Sequence, residues 1–196
     1  MDLLEIGKTD NIGRDKFISR FFGIFNEDIA SIYFKSPYSK YNNLGRPTIK
    51  KELEKYTLDF TLQDKNSNKI YICEMKCEMQ YQNYKRLELN NENQIKSHKK
   101  NAFIYFLDLA NNVNKYVIEV NKKTININGI ILLWGKITND CKIINEIKNI
   151  FSINDILSLE NMINVMIKNN YQEYFNYINE KREWVNTFFH NIGENK

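Results

Sequence analysis

With 196 residues, 42% of them apolar and 13% aromatic, the chain is long enough to bury a real core but short for two domains of ordinary size. A charged fraction of 27% with only 2 prolines argues against wholesale disorder. The 28 basic against 24 acidic residues leave a formal charge of +4, which permits a nucleic-acid partner without requiring one. Cys73, Cys77 and Cys141 are odd in number and scattered, which suits a reducing compartment, so the cytoplasm is the expected location. No run approaches the roughly 18 uninterrupted apolar residues of a membrane span, and "MDLLEIGKTDNIGRDKF" has no apolar stretch of signal length. A soluble protein with no membrane partner is expected.

From Arg14 to about Lys35, residues Phe17, Ile18, Phe21, Phe22, Phe25, Ile29 and Ile32 recur at helical spacing and predict one or two amphipathic helices. "SPYSKYNNLGRPTIKK", with Pro37, Gly45 and Pro47, reads as an irregular connection that begins a sheet near its end. In "YTLDFTL", Leu58, Phe60 and Leu62 alternate with Thr57, Asp59 and Thr61, the period-two pattern of a half-buried strand. The turn formers of "QDKNSNK" and the β-prone "IYICEMKCEMQ" then make residues 56–80 an antiparallel hairpin with a long turn.

Residues 81–101 are polar and helix-compatible, and Phe103, Phe106, Leu107, Ala110, Val113 and Val117 continue at helical spacing, so one long helix is expected. "AFIYFLDL" also suits a strand. "GIILLWGKI" is a nearly continuous apolar run, the mark of a central strand covered on both faces and reached by a crossover connection. A short polar helix around Ile143–Ile150 follows, then a short strand and helix in "NDILSLENMINVMI", then an amphipathic tail from Tyr171 carrying Trp184, Val185, Phe188 and Phe189. The chain reads as one α/β domain over 1–196, with a core at about 14–137 and a C-terminal helical extension at about 155–196.

Side chains two apart on a strand share a face, so Glu74 and Lys76 project together, with Asp59 on the partner strand of the hairpin. Two carboxylates and an amine meet the needs of phosphodiester hydrolysis: oxygen ligands for a hard divalent cation, and a cationic group near the attacking water or the developing phosphate charge. Glu74 follows "IYIC", in a run that should be largely buried, where a charge is costly unless paired or metal-bound.

Asp59, then Glu74-Met75-Lys76 fifteen residues on, after a helix and before a helix and another strand, resembles the PD-(D/E)XK nuclease superfamily. The resemblance implies a restriction-endonuclease-like αβββαβ core, a mixed central sheet flanked by helices, and cleavage of DNA, less often RNA, with Mg²⁺ or Mn²⁺. It makes Asp59 and Glu74 metal ligands and gives Lys76 the task of orienting or activating water. Leu58 stands where the family name has proline. Many members add a glutamate on the first helix, for which Glu27 is the candidate, with Glu52 and Glu54 as rivals; Gln94 or Lys96 would supply a further polar residue.

Plainer readings stand beside these. Asp59, Glu74 and Lys76 also suit ordinary cross-strand ion pairs on a solvated face. Lys85, Arg86, Lys96, Lys99 and Lys100, against Glu88 and Glu92, would line a phosphate-binding groove or a solvated helix face. Cys73 and Cys77 with the distant His98 and His190 lack a zinc spacing, so no zinc is expected. His98 reads as a surface residue before a substrate contact. The aromatic tail reads as core before a base-stacking surface or a homodimer contact. Three readings remain: a DNA-cutting, Mg²⁺-dependent nuclease; a catalytically inactive nuclease-fold domain acting as a nucleic-acid-binding or scaffolding subunit; and a metal-free small-molecule enzyme or partner-binding α/β domain.

Overall fold

A computed structural model describes the backbone of residues 12–80 and 85–193, and side chains for 20–78 and 86–193. Its elements are, in order, α1 (Ile12–Lys35), β1 (Tyr41–Gly45), β2 (Pro47–Lys51), β3 (Glu54–Thr57), β4 (Phe60–Asp64) and β5 (Ile70–Lys76). Then come the short β6 (Met79–Gln80), β7 (Lys85–Arg86) and β8 (Glu88–Leu89), α2 (Glu92–Lys96), α3 (Asn101–Leu109), β9 (Val117–Val120) and β10 (Lys123–Thr124). The chain continues through β11 (Gly129–Trp134), β12 (Lys136–Ile137), α4 (Cys141–Phe151), β13 (Asp155–Ser158), α5 (Leu159–Lys168) and α6 (Gln172–Gly193).

The fold is α/β, with a mixed five-stranded sheet in the order β1-β4-β5-β11-β13 flanked by helices. β1, β4 and β5 run antiparallel, and β11 lies parallel to both β5 and β13. The expected hairpin is present, with Phe60 opposite Cys73 and Leu62 opposite Tyr71. So is the expected central strand: all six residues of β11 are buried. Its alternation serves two cores, Ile130, Leu132 and Trp134 packing with α3 residues Phe103 and Phe106, and Ile131 and Leu133 with α1 and α5 residues such as Phe34 and Met162. Gly129 starts β11 at φ +148°, and a side chain there would collide with Asn154, whose Oδ1 accepts from the Ile130 amide at 2.9 Å.

Several expectations are corrected. The segment 36–51 is an ordered pair of strands, with β2 joining β10, β9 and β3 in a second, four-stranded sheet. "YTLDFTL" is two strands of different sheets, because the Leu58 amide turns to Pro47 O at 3.0 Å and the chain bends at Asp59. Thr61, expected on a solvated face, is fully buried. Over the described residues 85–117 the expected long helix is not formed. β8 pairs instead with β12, Trp134 Nε1 donates to Leu87 O at 2.8 Å, and α2 and α3 are separated by 97–100. α2 starts with a capping box, Asn91 accepting from the Asn93 amide at 3.1 Å and Gln94 accepting from the Asn91 amide at 3.1 Å. The tail is helical, but Trp184 (58%), Phe188 (60%) and Ile192 (61%) are exposed, so its distal aromatic stripe is not core. No helix among the described residues is long and apolar enough to cross a membrane.

Candidate active site

Glu27, Asp59, Glu74 and Lys76 line one cleft of about 290 Å³, together with Cys77, Glu78, His98 and Lys100. The cleft lies at the C-terminal end of β5. Glu74 and Lys76 extend from the same side of that strand, two residues apart, and Lys76 Nζ sits 2.5 Å from Glu74 Oε1. The amine also donates to Met75 O at 3.1 Å and rests 4.9 Å from the centre of the Phe103 ring, which fixes it from below. Asp59 occupies the bend between the two sheets. Where β4 stops pairing, its side chain takes over the ladder: the Met75 amide donates to Asp59 Oδ2 at 2.7 Å. Glu27 arrives from α1 on the opposite face, and Gly23, one turn earlier, has only open space where a side chain would be.

The electrostatics of the cleft centre on Glu74. Its residue surface is 7% exposed, Oε1 is held by Lys76, and Oε2 has no hydrogen-bond partner among the described residues. Burial, then the neighbouring Asp59 charge, push its carboxyl up to about 7, while Lys76 pulls the other way. Burial and Asp59 likewise raise Glu27. A buried carboxylate oxygen without a partner beside a second carboxylate is costly unless a proton or a cation reaches it. Among the described residues no group of three or more His, Cys, Asp or Glu is arranged to hold a metal. Asp59 and Glu74 nevertheless fit Mg²⁺ or Mn²⁺ chemically, since Mg²⁺ commonly uses one or two carboxylates and completes its shell with water and phosphate oxygens.

The other sequence-derived residues divide. Lys100 lines the cleft and Lys99 is exposed. Lys96 pairs with Glu92 of its own helix at 3.4 Å, and Gln94 is committed to the α2 cap, its Nε2 donating to Glu88 O at 2.9 Å. Arg86 is buried, donating to Asn26 Oδ1 at 3.1 Å, which removes it from any phosphate-binding surface. The Lys85 side chain lies outside the described residues. Glu52 sits in the β2–β3 turn at φ 54° and Glu54 accepts from the Tyr105 hydroxyl, so neither rival of Glu27 lines the cleft.

Two residues of the site escaped sequence reasoning. Arg46, between β1 and β2, places Nη1 3.4 Å from Glu27 Oε2 and Nη2 3.3 Å from Asp59 Oδ1. His98, expected on the surface, has a side chain only 11% exposed, with ring centres 5.1 Å from Phe103 and 5.7 Å from Trp134. Its Nδ1 lies 3.5 Å from Glu78 Oε1, and burial pushes the imidazole pKa down against the pull of Glu78. Neither position has a local signal, because both contacts depend on where distant segments cross. Cys73 is buried, Cys77 half-buried and Cys141 exposed, all free. Compared with protein-family models, curated proteins and solved structures, the chain matches none of them.

Proposed function

We propose that the protein is a divalent-cation-dependent nuclease that hydrolyses phosphodiester bonds, with DNA as its principal substrate. The observation that carries this reading is the buried Glu74 carboxylate, unbonded at Oε2, beside Asp59 and within 2.5 Å of the Lys76 amine. The succession of α1, three antiparallel strands β1, β4 and β5, helix α3 and the parallel β11 supports it, because it follows the αβββαβ order of restriction-endonuclease-like enzymes.

Asp59 and Glu74 would hold the Mg²⁺ or Mn²⁺, which would supply positive charge to polarise a phosphoryl oxygen and acidify water. Lys76 orients the attacking water and offsets the negative charge that develops on the phosphate. The Met75 amide holds Asp59 in position, and the Phe103 ring does the same for the Lys76 amine. Lys100, at the cleft wall, adds a contact for the phosphate backbone.

A second reading is a nuclease fold retained as a nucleic-acid-binding or scaffolding subunit, which needs no more than the two carboxylates, Asp59 and Glu74, that flank the Met75 amide. Incubation with plasmid, single-stranded DNA and RNA in Mg²⁺ or Mn²⁺, beside Asp59→Asn and Lys76→Met, separates the two. Cleavage that both variants lose supports the enzyme. Silence of the folded parent on every substrate rejects it in favour of the scaffold.

A further inference from the structure

We propose that Arg46 has two alternating partners: without a divalent cation it latches Glu27 to Asp59, and with one bound it swings to the substrate phosphate. This inference rests on the nuclease reading of the same cleft and adds a phosphate-binding residue to it. The guanidinium fork spreads over two acids from different elements, Nη1 at 3.4 Å from Glu27 Oε2 and Nη2 at 3.3 Å from Asp59 Oδ1, while Nε donates to Leu58 O at 3.5 Å.

These contacts are longer than the roughly 2.7–2.9 Å of strong charge-assisted bonds. Arg46 is also 57% exposed, so its ion pairs are weak and easily exchanged. Asp59 is different. Its Oδ2 already accepts from the Met75 amide, so Oδ1, the atom facing Arg46, is the less committed oxygen. Cation and guanidinium therefore compete for the same carboxylate.

The backbone of Arg46 does not need to move. Gly45 before it adopts φ +118°, beside a bulge in the β1–β4 pairing, and Pro47 after it opens β2. This corner fixes the Arg46 Cα at the cleft rim and leaves the side chain free to pivot. The formal charge of Glu27, Asp59, Glu74, Lys76 and Arg46 together is −1, so a bound divalent cation makes the cluster positive. A displaced guanidinium then has less carboxylate charge to hold it and a phosphodiester to grip in bidentate fashion.

The test is calorimetric titration of the intact protein with Mn²⁺, for parent, Arg46→Gln and Arg46→Lys, together with the KM for cleavage of a DNA duplex. Loss of the competing charge in Arg46→Gln should tighten Mn²⁺ binding by about three- to tenfold. The same variant should raise KM about tenfold through loss of the phosphate contact. Arg46→Lys, which keeps the charge without the fork, should bind Mn²⁺ like the parent and keep the raised KM. Unchanged or weaker Mn²⁺ binding by a normally melting Arg46→Gln overturns the latch, and an unchanged KM overturns the phosphate role. Should the parent bind Mn²⁺ and Asp59→Asn not bind it, such a result removes Arg46 alone. If neither parent nor Arg46→Gln takes up Mn²⁺, the nuclease reading falls as well.

Discussion

The amide N–H of Met75 donates to Asp59 Oδ2 at 2.7 Å, so one candidate ligand is held by the backbone between the other candidate ligand and the lysine. Stability and chemistry meet at this bond, and two substitutions separate them. Asp59→Ala leaves the amide unpaired in a partly buried place and should cost about 1–3 kcal/mol. Asp59→Asn keeps an acceptor oxygen and should cost less than half as much, yet both should abolish metal-dependent cleavage. Urea midpoints measured beside activity check the split; equal destabilisation by the two variants would contradict it.

A cation that binds only the folded protein stabilises it. At a concentration of 100 times Kd, Mn²⁺ should add about 2.7 kcal/mol, a rise in Tm of about 5–10 °C for a chain of this length. Glu74→Gln should lose that rise. It should not be less stable than the parent in the cation-free state at pH 8, because it removes a charge that burial and Asp59 already disfavour. Differential scanning calorimetry with and without EDTA decides the matter.

Trp134 is fully buried, and its Nε1 is the donor to Leu87 O at 2.8 Å that ties the segment after the cleft to the central strand. Trp134→Phe removes that donor and leaves a void against His98, so a loss of about 2–4 kcal/mol is expected. Hydrogen exchange should quicken first at 86–89, where the tie is lost, and uniform exchange across β11 and β8 would refute the assignment.

Asp108 accepts from the Tyr116 hydroxyl at 2.5 Å, Asn112 Nδ2 at 2.8 Å and Lys51 Nζ at 3.0 Å. The Tyr116 bond chiefly holds its carboxyl below the usual range; burial opposes it, and Lys51 and Asn112 add smaller pulls in the same direction as Tyr116. A depressed carboxyl binds protons more weakly when folded, so its contribution is complete above the unfolded value of about 3.9 and fades as pH falls through the folded one. Asp108→Asn should therefore lower Tm at pH 7 and make the decline below about pH 4 shallower than in the parent. Parallel acid limbs for the two proteins would exclude this role.

The elements that could be read from residues are those whose pattern is local. "QDKNSNK" between two β-prone runs announces its hairpin, and the unbroken apolar "GIILLW" announces a strand covered on both sides. Glu74 and Lys76 were legible for the same reason, since alternation puts them on one side of β5, whereas Asp59, expected on the partner strand, sits at the bend just before β4 and meets them through the Met75 amide. Residues 85–100 were misread because their helix-compatible composition yields to tertiary partners: β12 for Glu88 and Leu89, Trp134 for Leu87, and Phe103 for His98. The Asn91-x-x-Gln94 box was a readable sign that a helix begins there and not ten residues earlier. Arg46 had no such sign. Its role follows from a corner that returns the chain to Asp59 thirteen residues later, a fact of topology and not of periodicity.

The β4–β5 hairpin keeps its tip far from its chemistry. Asp64 gathers the turn by accepting from the Asn66 amide at 2.9 Å, the Ser67 amide at 2.7 Å and the Ser67 hydroxyl at 3.0 Å, so the tip holds its shape unaided. At about 3.3 Å per strand residue, roughly 20 Å of strand separate that tip from Lys76. A reporter dye carried at the exposed position 66 would thus ride on the same rigid ribbon as the ligands, close enough for energy transfer to a labelled oligonucleotide and too distant to obstruct it.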